Sequence, residues 1–401
     1  MKTKFQRLIL LAAAFIIALF NFSEVALAED VSSDPPPTIF WLDKAYNTAT
    51  YLGNGVVQAG KAWLSSGKNP MVYETYTLIN LNGEIIFPTD EFPRLEGRFY
   101  GDYILTYILS KTWKSKFGLL DRFGNLVVPT IYDTEQEAWA QVGIDYADVT
   151  KPVDNIPEPE VIVESVGSVE QLYGYADESG NVLVECQFAY AAPFYQASYT
   201  WVNKDSRFDG TCGLLKNPLK KDVISDWFTD EIADADACGL IPSRCAGYYT
   251  FEITRSQAAA LLVRYLELVT GGDLSLPAEH PFTDTSDAYI EKAYAAGIVQ
   301  GMAEGIFAPD KVVTREQFAT MLYRMLVKQN PDWEETVPEP TKFEDFDTAS
   351  DWAKQALAVL ADKKVMNGIS DTKLAPKYYC STEEAIALVY RLFKAEDKAS
   401  V

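Results

Sequence analysis

A four-residue pattern recurs three times in the C-terminal half of the chain and limits its fold more than any other feature. The three copies are Thr254-Arg255-Ser256-Gln257, Thr314-Arg315-Glu316-Gln317 and Ser381-Thr382-Glu383-Glu384. They start 60 and 67 residues apart, and each opens a stretch with the hydrophobic spacing of a core-facing helix. A repeat of this length predicts one structural unit that is copied and stacked.

Each quartet has the chemistry of a helix capping box. A Ser or Thr hydroxyl accepts a hydrogen bond from the amide three residues later, and the Glu or Gln there reaches back. Thr254, Thr314 and Ser381 are therefore predicted N-caps, each contributing about 1 kcal/mol.

Capping does not explain Arg255 and Arg315, because a cation at the first helical position meets the positive end of the helix dipole. Two explanations remain open. Each arginine joins free helix amides in binding a carboxylate or phosphate, or it pairs with an acid of the neighbouring repeat.

Each quartet helix belongs to a larger repeated unit. Helices are predicted at 288–296 and 352–361, ahead of the second and third quartets, and Gly- and Pro-containing loops follow them. Linkers 270–281 and 329–341 separate the units. A Phe-x-Asp pattern lies upstream in each unit: Phe228-Thr229-Asp230, Phe282-Thr283-Asp284 and Phe343-Glu344-Asp345.

Residues 282–325 resemble an S-layer homology (SLH) repeat, with Phe-x-Asp, a helix, Gly-Ile-Val-x-Gly, a loop to Phe-x-Pro and then Thr-Arg-Glu. Residues 343–393 resemble a second copy, and residues 227–268 a more degenerate one. The resemblance implies an all-α, pseudo-threefold bundle of three units. It also implies non-covalent docking onto cell-wall polysaccharide, often a secondary cell-wall polymer with pyruvate ketals, in grooves between units.

The resemblance also suggests glycan-binding residues. In the family the Arg of the Thr-Arg motif meets the anionic sugar, which assigns this role to Arg255 and Arg315, with Thr254 and Thr314 beside them. The third copy has Thr382 instead of Arg, so the role does not extend to it. Trp352 resembles the family's aromatic residue after Phe-x-Asp, and it is either a sugar platform or part of the core.

Residues 40–221 have a different pattern, of short strands and glycine turns. Segments 76–88, 117–129 and 173–185 align without gaps, and a glycine turn divides each into a predicted hairpin. They resemble WG repeats, with Phe117-Gly118 and Tyr173-Gly174 where that family has Trp-Gly. We expect this region to be an interaction module that contacts another surface protein or glycan.

The N-terminus predicts export from the cytoplasm. Lys2, Lys4 and Arg7 precede an apolar run of 13 residues, and Ala26-Leu27-Ala28 follows as a cleavage site. This is typical of a secretory signal peptide and too short for a membrane span, which needs ~20 residues. No later segment is apolar enough to cross a bilayer.

Charge and residue counts exclude several function classes. The net charge of −22 repels nucleic acid, so an anionic partner must be bound by a few local cations. The single histidine, His280, rules out a multi-histidine metal site, and no cofactor or metal motif is evident. The five cysteines match no zinc pattern. Cys238 with Cys245, and Cys186 with Cys212, are candidate disulfides.

The sequence therefore predicts an α+β multidomain protein, with a β-hairpin repeat region followed by an all-α SLH bundle. The expected boundaries are 1–28 signal peptide, 29–39 flexible entry segment, 40–221 WG-like region, and 222–269, 280–328 and 341–396 for the SLH repeats. The predicted function is non-enzymatic attachment of a secreted protein to the cell wall. The alternatives are an SLH-anchored wall-active enzyme, or SLH units used for protein contacts.

Overall fold

The computed structural model describes residues 39–64, 72–87, 94–109, 114–150, 158–166, 170–195, 197–205, 211–335 and 342–399. The predicted signal peptide and the entry segment up to residue 38 lie outside the described residues. Strands occupy the N-terminal part and helices most of the C-terminal part, which confirms the α+β class. Within the described residues, no helix is both long and apolar enough to cross a membrane.

Among the described residues, four small sheets make up the strand-rich part, which we call the β region. Its strands pair antiparallel, in the orders β1-β15-β14-β13, β2-β3-β4-β5, β6-β7-β8-β9 and β10-β11-β12. Strand β1 pairs with β15, with Ile39 opposite Leu215, so the first and last strands of the region lie side by side. The bounds are β1 Ile39–Trp41, β2 Thr48–Gly53, β3 Val56–Leu64, β4 Val72–Asn80, β5 Ile85–Phe87, β6 Arg94–Tyr100, β7 Tyr103–Leu109, β8 Ser115–Asp121, β9 Leu126–Tyr132, β10 Glu160–Val166, β11 Glu170–Ala176, β12 Val182–Phe188, β13 Tyr190–Ala191, β14 Tyr199–Asn203 and β15 Cys212–Lys216. Two short helices, α1 Glu135–Ala140 and α2 Tyr146–Val149, follow β9.

The three predicted hairpins are confirmed as β4–β5, β8–β9 and β11–β12. Each turn starts with an Asn or Asp whose Oδ1 accepts hydrogen bonds from the amides two and four residues later. These residues are Asn80, Asp121 and Asp177. This side-chain turn was a further sequence signal of the repeat.

Glycine at the Trp-Gly position is required by a close backbone approach. A β-carbon on Gly118 would lie 2.4 Å from the carbonyl oxygen of Val128, and one on Gly174 would lie 2.4 Å from that of Val184. The strand register shifts at both places. The hairpins therefore bend where no side chain fits.

Within the described residues the helices share one hydrophobic core, and we group six of them in chain order into three pairs, one for each repeated unit. Each quartet helix contacts the first helix of the following pair. Pair 1 is α3 and α4, pair 2 is α5 and α6, and pair 3 is α8 and α9. The second helix of each pair starts within its quartet, and helices predicted at 288–296 and 352–361 are present to within one residue at each end. The bounds are α3 Thr229–Ala237, α4 Arg255–Thr270, α5 Ala288–Ala295, α6 Arg315–Gln329, α7 Asp332–Glu335, α8 Asp351–Asp362 and α9 Thr382–Ala399.

A closed ring of backbone hydrogen bonds joins the three pairs. The Ile253 amide donates to the Cys380 carbonyl at 2.9 Å, Cys380 donates to Val313 at 3.0 Å, and Val313 donates to Ile253 at 3.0 Å. Each of these residues immediately precedes a quartet, and all three are fully buried. The hydrogen-bond ring therefore joins the three repeated units at the residue that precedes each quartet.

All five cysteines are free thiols in the structure. Cys212, Cys245 and Cys380 are buried, and burial raises the pKa of the Cys212 thiol to about 12. Neither candidate disulfide is formed.

Candidate functional site

The quartets lie at three joints between helix pairs, and each joint uses the same backbone contacts. The first two amides of each quartet helix donate to carbonyls in a loop of the next pair, at 2.8–3.0 Å. The order is cyclic, from pair 1 to pair 2, from pair 2 to pair 3, and from pair 3 back to pair 1. The donor–acceptor pairs are Arg255–Lys311, Ser256–Pro309, Arg315–Tyr378, Glu316–Pro376, Thr382–Phe251 and Glu383–Tyr249.

The third amide of each helix is satisfied within its own quartet. The Thr254 and Thr314 hydroxyls accept from the Gln257 and Gln317 amides, and the Thr254 and Thr314 amides donate in return to the side-chain oxygens of these glutamines. Ser381 and Glu384 make the same two bonds. The three predicted capping boxes are therefore confirmed. With all three amides engaged, the helix N-termini are not the open anion sites that their sequence suggested.

Arg255 reaches across the joint from pair 1 to pair 2. Its Nε donates to the Phe307 carbonyl at 2.8 Å and its Nη2 to the Gln300 carbonyl at 2.9 Å. The guanidinium also lies 4.5 Å from the centre of the Phe307 ring. Desolvation, reinforced by the nearby charge of Arg324, lowers the pKa of Arg255 to about 10, so it remains charged at neutral pH.

Arg315 makes the equivalent contacts from pair 2 to pair 3. Nε donates to the Leu374 carbonyl at 3.0 Å and Nη2 to the Asn367 carbonyl at 2.9 Å, while Nη1 bonds Glu384 at 3.0 Å. Carbonyl dipoles of the next pair therefore stabilise a cation at an unfavourable helix position. The ion pair with an acid of the neighbouring repeat is therefore present for Arg315, whose partner is Glu384. The hydrogen bonds shown for Arg255 go to carbonyls of the next pair.

Arg324 on α6 is the half-buried cation next to Arg255. Burial lowers the pKa of Arg324. No carboxylate among the described residues forms an ion pair with it. Asp284 also faces Arg255, but its oxygens accept hydrogen bonds from the Phe307 and Ala308 amides at 2.9 and 2.7 Å. Two adjacent arginines at this joint favour an anionic ligand.

A Ser-Asp-Trp sequence marks two of the joints, and our sequence reading missed it. Ser225 and Ser350 precede the first helices of pairs 1 and 3, and Trp227 and Trp352 lie two residues further on. Both rings are solvent-exposed, at 50% and 56%. Trp352 is thus an exposed ring and not a core residue.

This correspondence corrects the alignment of the first unit. Asp284 and its counterpart Asp345 each hold two loop amides, whereas Asp230 is an exposed residue in the first turn of α3. Phe228 is fully buried beside Trp227. The pattern Phe228-Thr229-Asp230 is therefore not the structural counterpart of the other two Phe-x-Asp patterns.

A glutamate of the quartet binds each of these serines. Glu316 accepts from the Ser350 amide and hydroxyl at 2.9 and 3.0 Å. Glu383 accepts from the Ser225 amide and hydroxyl at 3.0 and 2.6 Å. The joint from pair 1 to pair 2 has Ser256 at this quartet position, and there Arg244 contacts Asp287 instead.

A groove of about 530 Å³ lies along α9, and residues from all three pairs line it. Its lining includes Trp227 of pair 1, Arg315 of pair 2, and Glu384 and Arg391 of α9. Arg391 is itself held by Glu231 through two hydrogen bonds of 3.1 and 2.9 Å. An exposed ring, charged groups and the backbone of Gly368 suit a polar ligand with apolar faces, such as a sugar.

Metal ligation has no support in the described residues, where no cluster of His, Cys, Asp or Glu could hold an ion. Asp287 caps α5, and His280 contacts Glu291 at 3.1 Å.

Comparison with known protein families gives two kinds of match. The S-layer homology domain matches residues 281–319 and 342–386, and the WG containing repeat matches residues 173–208. The chain contains two SLH domains and a WG repeat. The SLH matches lie within pairs 2 and 3 and end in the first residues of α6 and α9, while pair 1 shares their joints and capping box but lies outside the matched segments. The WG match starts at the third hairpin.

Several curated proteins are similar to the SLH part of this chain. An amylopullulanase of Thermoanaerobacterium thermosulfurigenes is 28% identical over 190 residues, which are 47% of this chain and 10% of that protein. The exoglucanase XynX of Acetivibrio thermocellus is 27% identical over 188 residues, 45% of this chain and 17% of the enzyme. A cellulosome-anchoring protein of Acetivibrio thermocellus is 28% identical over 147 residues, 35% of this chain and 31% of that protein. The chain therefore spans a minor part of each relative.

Proposed function

We propose that this chain is a non-enzymatic surface protein that docks through its helix pairs onto an anionic cell-wall polysaccharide. The observation that carries the proposal is the pair of SLH domains placed on a cyclic set of joints with exposed rings and arginines. The relatives support attachment, because one is a cellulosome-anchoring protein and another is a cell surface glycoprotein. The enzymes among them match this chain only in its SLH part.

We further propose that the three helix pairs are three SLH units in an all-α, pseudo-threefold bundle, with boundaries at 222–269, 280–328 and 341–396. The three-membered hydrogen-bond ring and the cyclic joints support this arrangement. In this proposal a secretory signal peptide at 1–28 and a flexible entry segment at 29–39 precede the WG-like region at 40–221.

The ligand contacts that we propose differ between the joints. At the joint from pair 1 to pair 2, Arg255 and Arg324 bind an acidic sugar substituent such as a pyruvate ketal. Arg315 adds a cation at the next joint, while Trp352 and Trp227 offer ring faces to the C–H side of a sugar. Thr254 and Thr314 act at the sites by holding the helix ends that carry the arginines.

The β region exposes large apolar side chains: Ile131, Val163 and Tyr195 are 62%, 55% and 67% exposed. We propose that the β region contacts another surface protein or glycan through exposed side chains of this kind.

Co-sedimentation of the full chain with purified wall sacculi tests the docking proposal. Wild-type protein is expected to pellet with sacculi, including sacculi cleaned of protein, and to stay in solution once the anionic polymer has been extracted. Retention by extracted sacculi would contradict a polymer ligand. Release on removal of wall proteins would favour the protein-contact alternative, and turnover of labelled peptidoglycan would revive the enzyme alternative.

Side-chain variants test the assigned contacts. Arg324→Ala and Trp352→Ala remove groups that hold no joint together, so folding is expected to survive while retention falls at least tenfold. Trp41→Ala, which removes a comparably exposed ring from β1, is the matched control. Undiminished retention of the Arg324→Ala/Trp352→Ala double variant would remove both residues from the site. Arg255→Ala with Arg315→Ala is informative only beside a measurement of folding, because both side chains also bridge the joints.

A further inference from the structure

The β region contacts all three loops that tie the helix pairs together. Three isolated β-bridges accompany the joints: Thr254 with Val312, Thr314 with Tyr379, and Glu252 with Ser381. In each bridge one member also touches the β region. The β region therefore meets the helix pairs at each of the three joints.

The first hairpin turn holds the loop of pair 2. Asn82 uses both ends of its side-chain amide on one residue, since its Oδ1 accepts from the Val312 amide at 2.9 Å and its Nδ2 donates to the Val312 carbonyl at 3.1 Å. The neighbouring Glu84 pairs with Lys311 at 3.0 Å. The turn therefore binds the backbone of Val312, the residue that forms the β-bridge with Thr254.

The second hairpin turn and a neighbouring turn hold the loop of pair 3. The Arg122 guanidinium stacks 3.6 Å from the centre of the Tyr378 ring and bonds Asp102 at 2.8 Å. Asp102 also pairs with Lys373 at 3.4 Å. The ring of Tyr379 packs so closely on Gly55 that a β-carbon there would lie 2.5 Å from it.

Strands β14 and β15 hold the loop of pair 1. The Tyr199 hydroxyl donates to the Glu252 carboxylate at 2.6 Å. Tyr199 also packs edge-on against Phe251, with ring centres 5.3 Å apart. Both tyrosine contacts lie beside the bridge from Glu252 to Ser381.

We propose that the β region is the clamp of the helical bundle, an intramolecular partner that fixes the three joints and with them the shape of the grooves. One part of the β region meets one helix pair at each point, so withdrawal of the region would loosen every joint together. The consequence for wall binding rests on the docking function proposed above, whereas the clamp itself does not. The β region then has a role in the anchor as well as in contacts with a further partner.

Hydrogen exchange at the ring amides tests the clamp in the full chain. The probes are the amides of Ile253, Val313 and Cys380, which are reported by peptides that span each quartet boundary. In the Asn82→Ala/Arg122→Ala variant we expect these amides to exchange at least tenfold faster, while amides in the middle of α4 and α9 keep their protection. Unchanged exchange at the ring would overturn the clamp.

Two further variants keep the test decisive. Asn181→Ala makes the same substitution in the third hairpin turn, where Asn181 bonds only Asp177, and should leave ring exchange unchanged. Faster ring exchange in this control would overturn the inference, because the effect would not require contact with the helices. If the double variant unfolds, Tyr199→Phe removes one hydroxyl and should selectively accelerate exchange at Ile253 and Cys380.

Sacculus retention of the same variants separates the two proposals. If wild-type protein binds sacculi, the clamp predicts weaker retention of Asn82→Ala/Arg122→Ala and normal retention of Asn181→Ala. Equal retention of all three, together with faster ring exchange, would overturn the link between clamp and grooves. Failure of wild-type protein to bind contradicts the docking function, and the exchange data then decide the clamp independently.

Discussion

Replacing Lys216 by methionine should stabilise the protein. Lys216 ends β15 and is 1% exposed where the β region meets pair 1. Its Nζ lies 5.3–5.4 Å from the ring centres of Phe40, Tyr248 and Phe251. Burial lowers the pKa of Lys216 from 10.5 to about 8, although the charge of Glu252 opposes this shift.

The lowered pKa corresponds to a free energy by which the folded state disfavours the charged lysine. The difference between 10.5 and about 8 corresponds to about 3 kcal/mol. The three ring faces offset part of this cost through cation–π attraction. Methionine has a similar length and no charge to desolvate, so we expect Lys216→Met to raise the free energy of unfolding by about 1–3 kcal/mol at pH 7.

The pH dependence identifies the cause of the gain. Below the folded pKa of about 8, the folded and unfolded wild type both carry the charge, and the cost is fully present. Between about 8 and 10.5 the folded lysine loses its proton while the unfolded one keeps it, so the stability of the wild type rises relative to the variant. The gain from Lys216→Met should therefore shrink with rising pH and approach zero near pH 10.5.

Urea denaturation at pH 7, 8.5 and 9.5, followed by tryptophan fluorescence, measures this difference. The buried tyrosines and cysteines are common to both proteins, so their titration cancels to first order. Lys61→Met, on an exposed position of β3, is the control and should change stability by less than about 0.5 kcal/mol. A gain that does not vary with pH, or a less stable Lys216→Met at pH 7, would refute the desolvation argument.

Three further changes test the joints and hairpins by the free energy of unfolding in urea. Arg255→Lys should cost about 1–3 kcal/mol, because one ammonium cannot replace the guanidinium between the Gln300 and Phe307 carbonyls; a cost near zero would contradict a bridging role. Glu383→Gln and Ser225→Ala should each destabilise, and their double-mutant cycle should give a coupling energy of about 1 kcal/mol or more, whereas additivity would show that the bond carries no energy. Gly174→Ala should cost at least about 2 kcal/mol through its clash with Val184, while Gly272→Ala, with no atom within 4 Å of the added carbon, should be nearly neutral; equal effects would contradict the close-approach argument.

Local features of the fold were predictable from the sequence. The capping boxes depend on residues three apart, and the hairpins on a turn within one segment, so their chemistry is complete in a short stretch of chain. Asn80, Asp121 and Asp177 would have strengthened the hairpin alignment, since each binds amides no more than four residues away.

The joints were not predictable in the same way. The amides that follow Thr254 and Thr314 looked free, because the carbonyls that accept from them lie 53 to 63 residues further along the chain. The role of Arg255 and Arg315 in the joints depends on the same distant loops. Ser-Asp-Trp at 225–227 and 350–352 was visible, but the apparent Phe-x-Asp at Phe228 took its place in the alignment.

Charge compensation differs between the joints and predicts different salt dependence of wall binding. Where an exposed ring is present, the nearby cations are paired with acids: Arg315 with Glu384, Lys377 with Glu316, and Arg391 with Glu231. At the joint from pair 1 to pair 2, Arg255 binds carbonyls and Arg324 has no acid partner among the described residues.

An acidic sugar group should therefore bind at that joint, and uncharged sugar faces at the tryptophans. We expect Arg324→Ala to weaken sacculus binding most at low salt and to flatten its salt dependence, because the lost attraction is one that salt screens. Trp352→Ala should weaken binding by a similar factor at every salt concentration, because stacking on a ring is not screened. Co-sedimentation between 20 mM and 500 mM NaCl distinguishes the two, and equal salt dependence of both variants would show that Arg324 does not bind the anionic group.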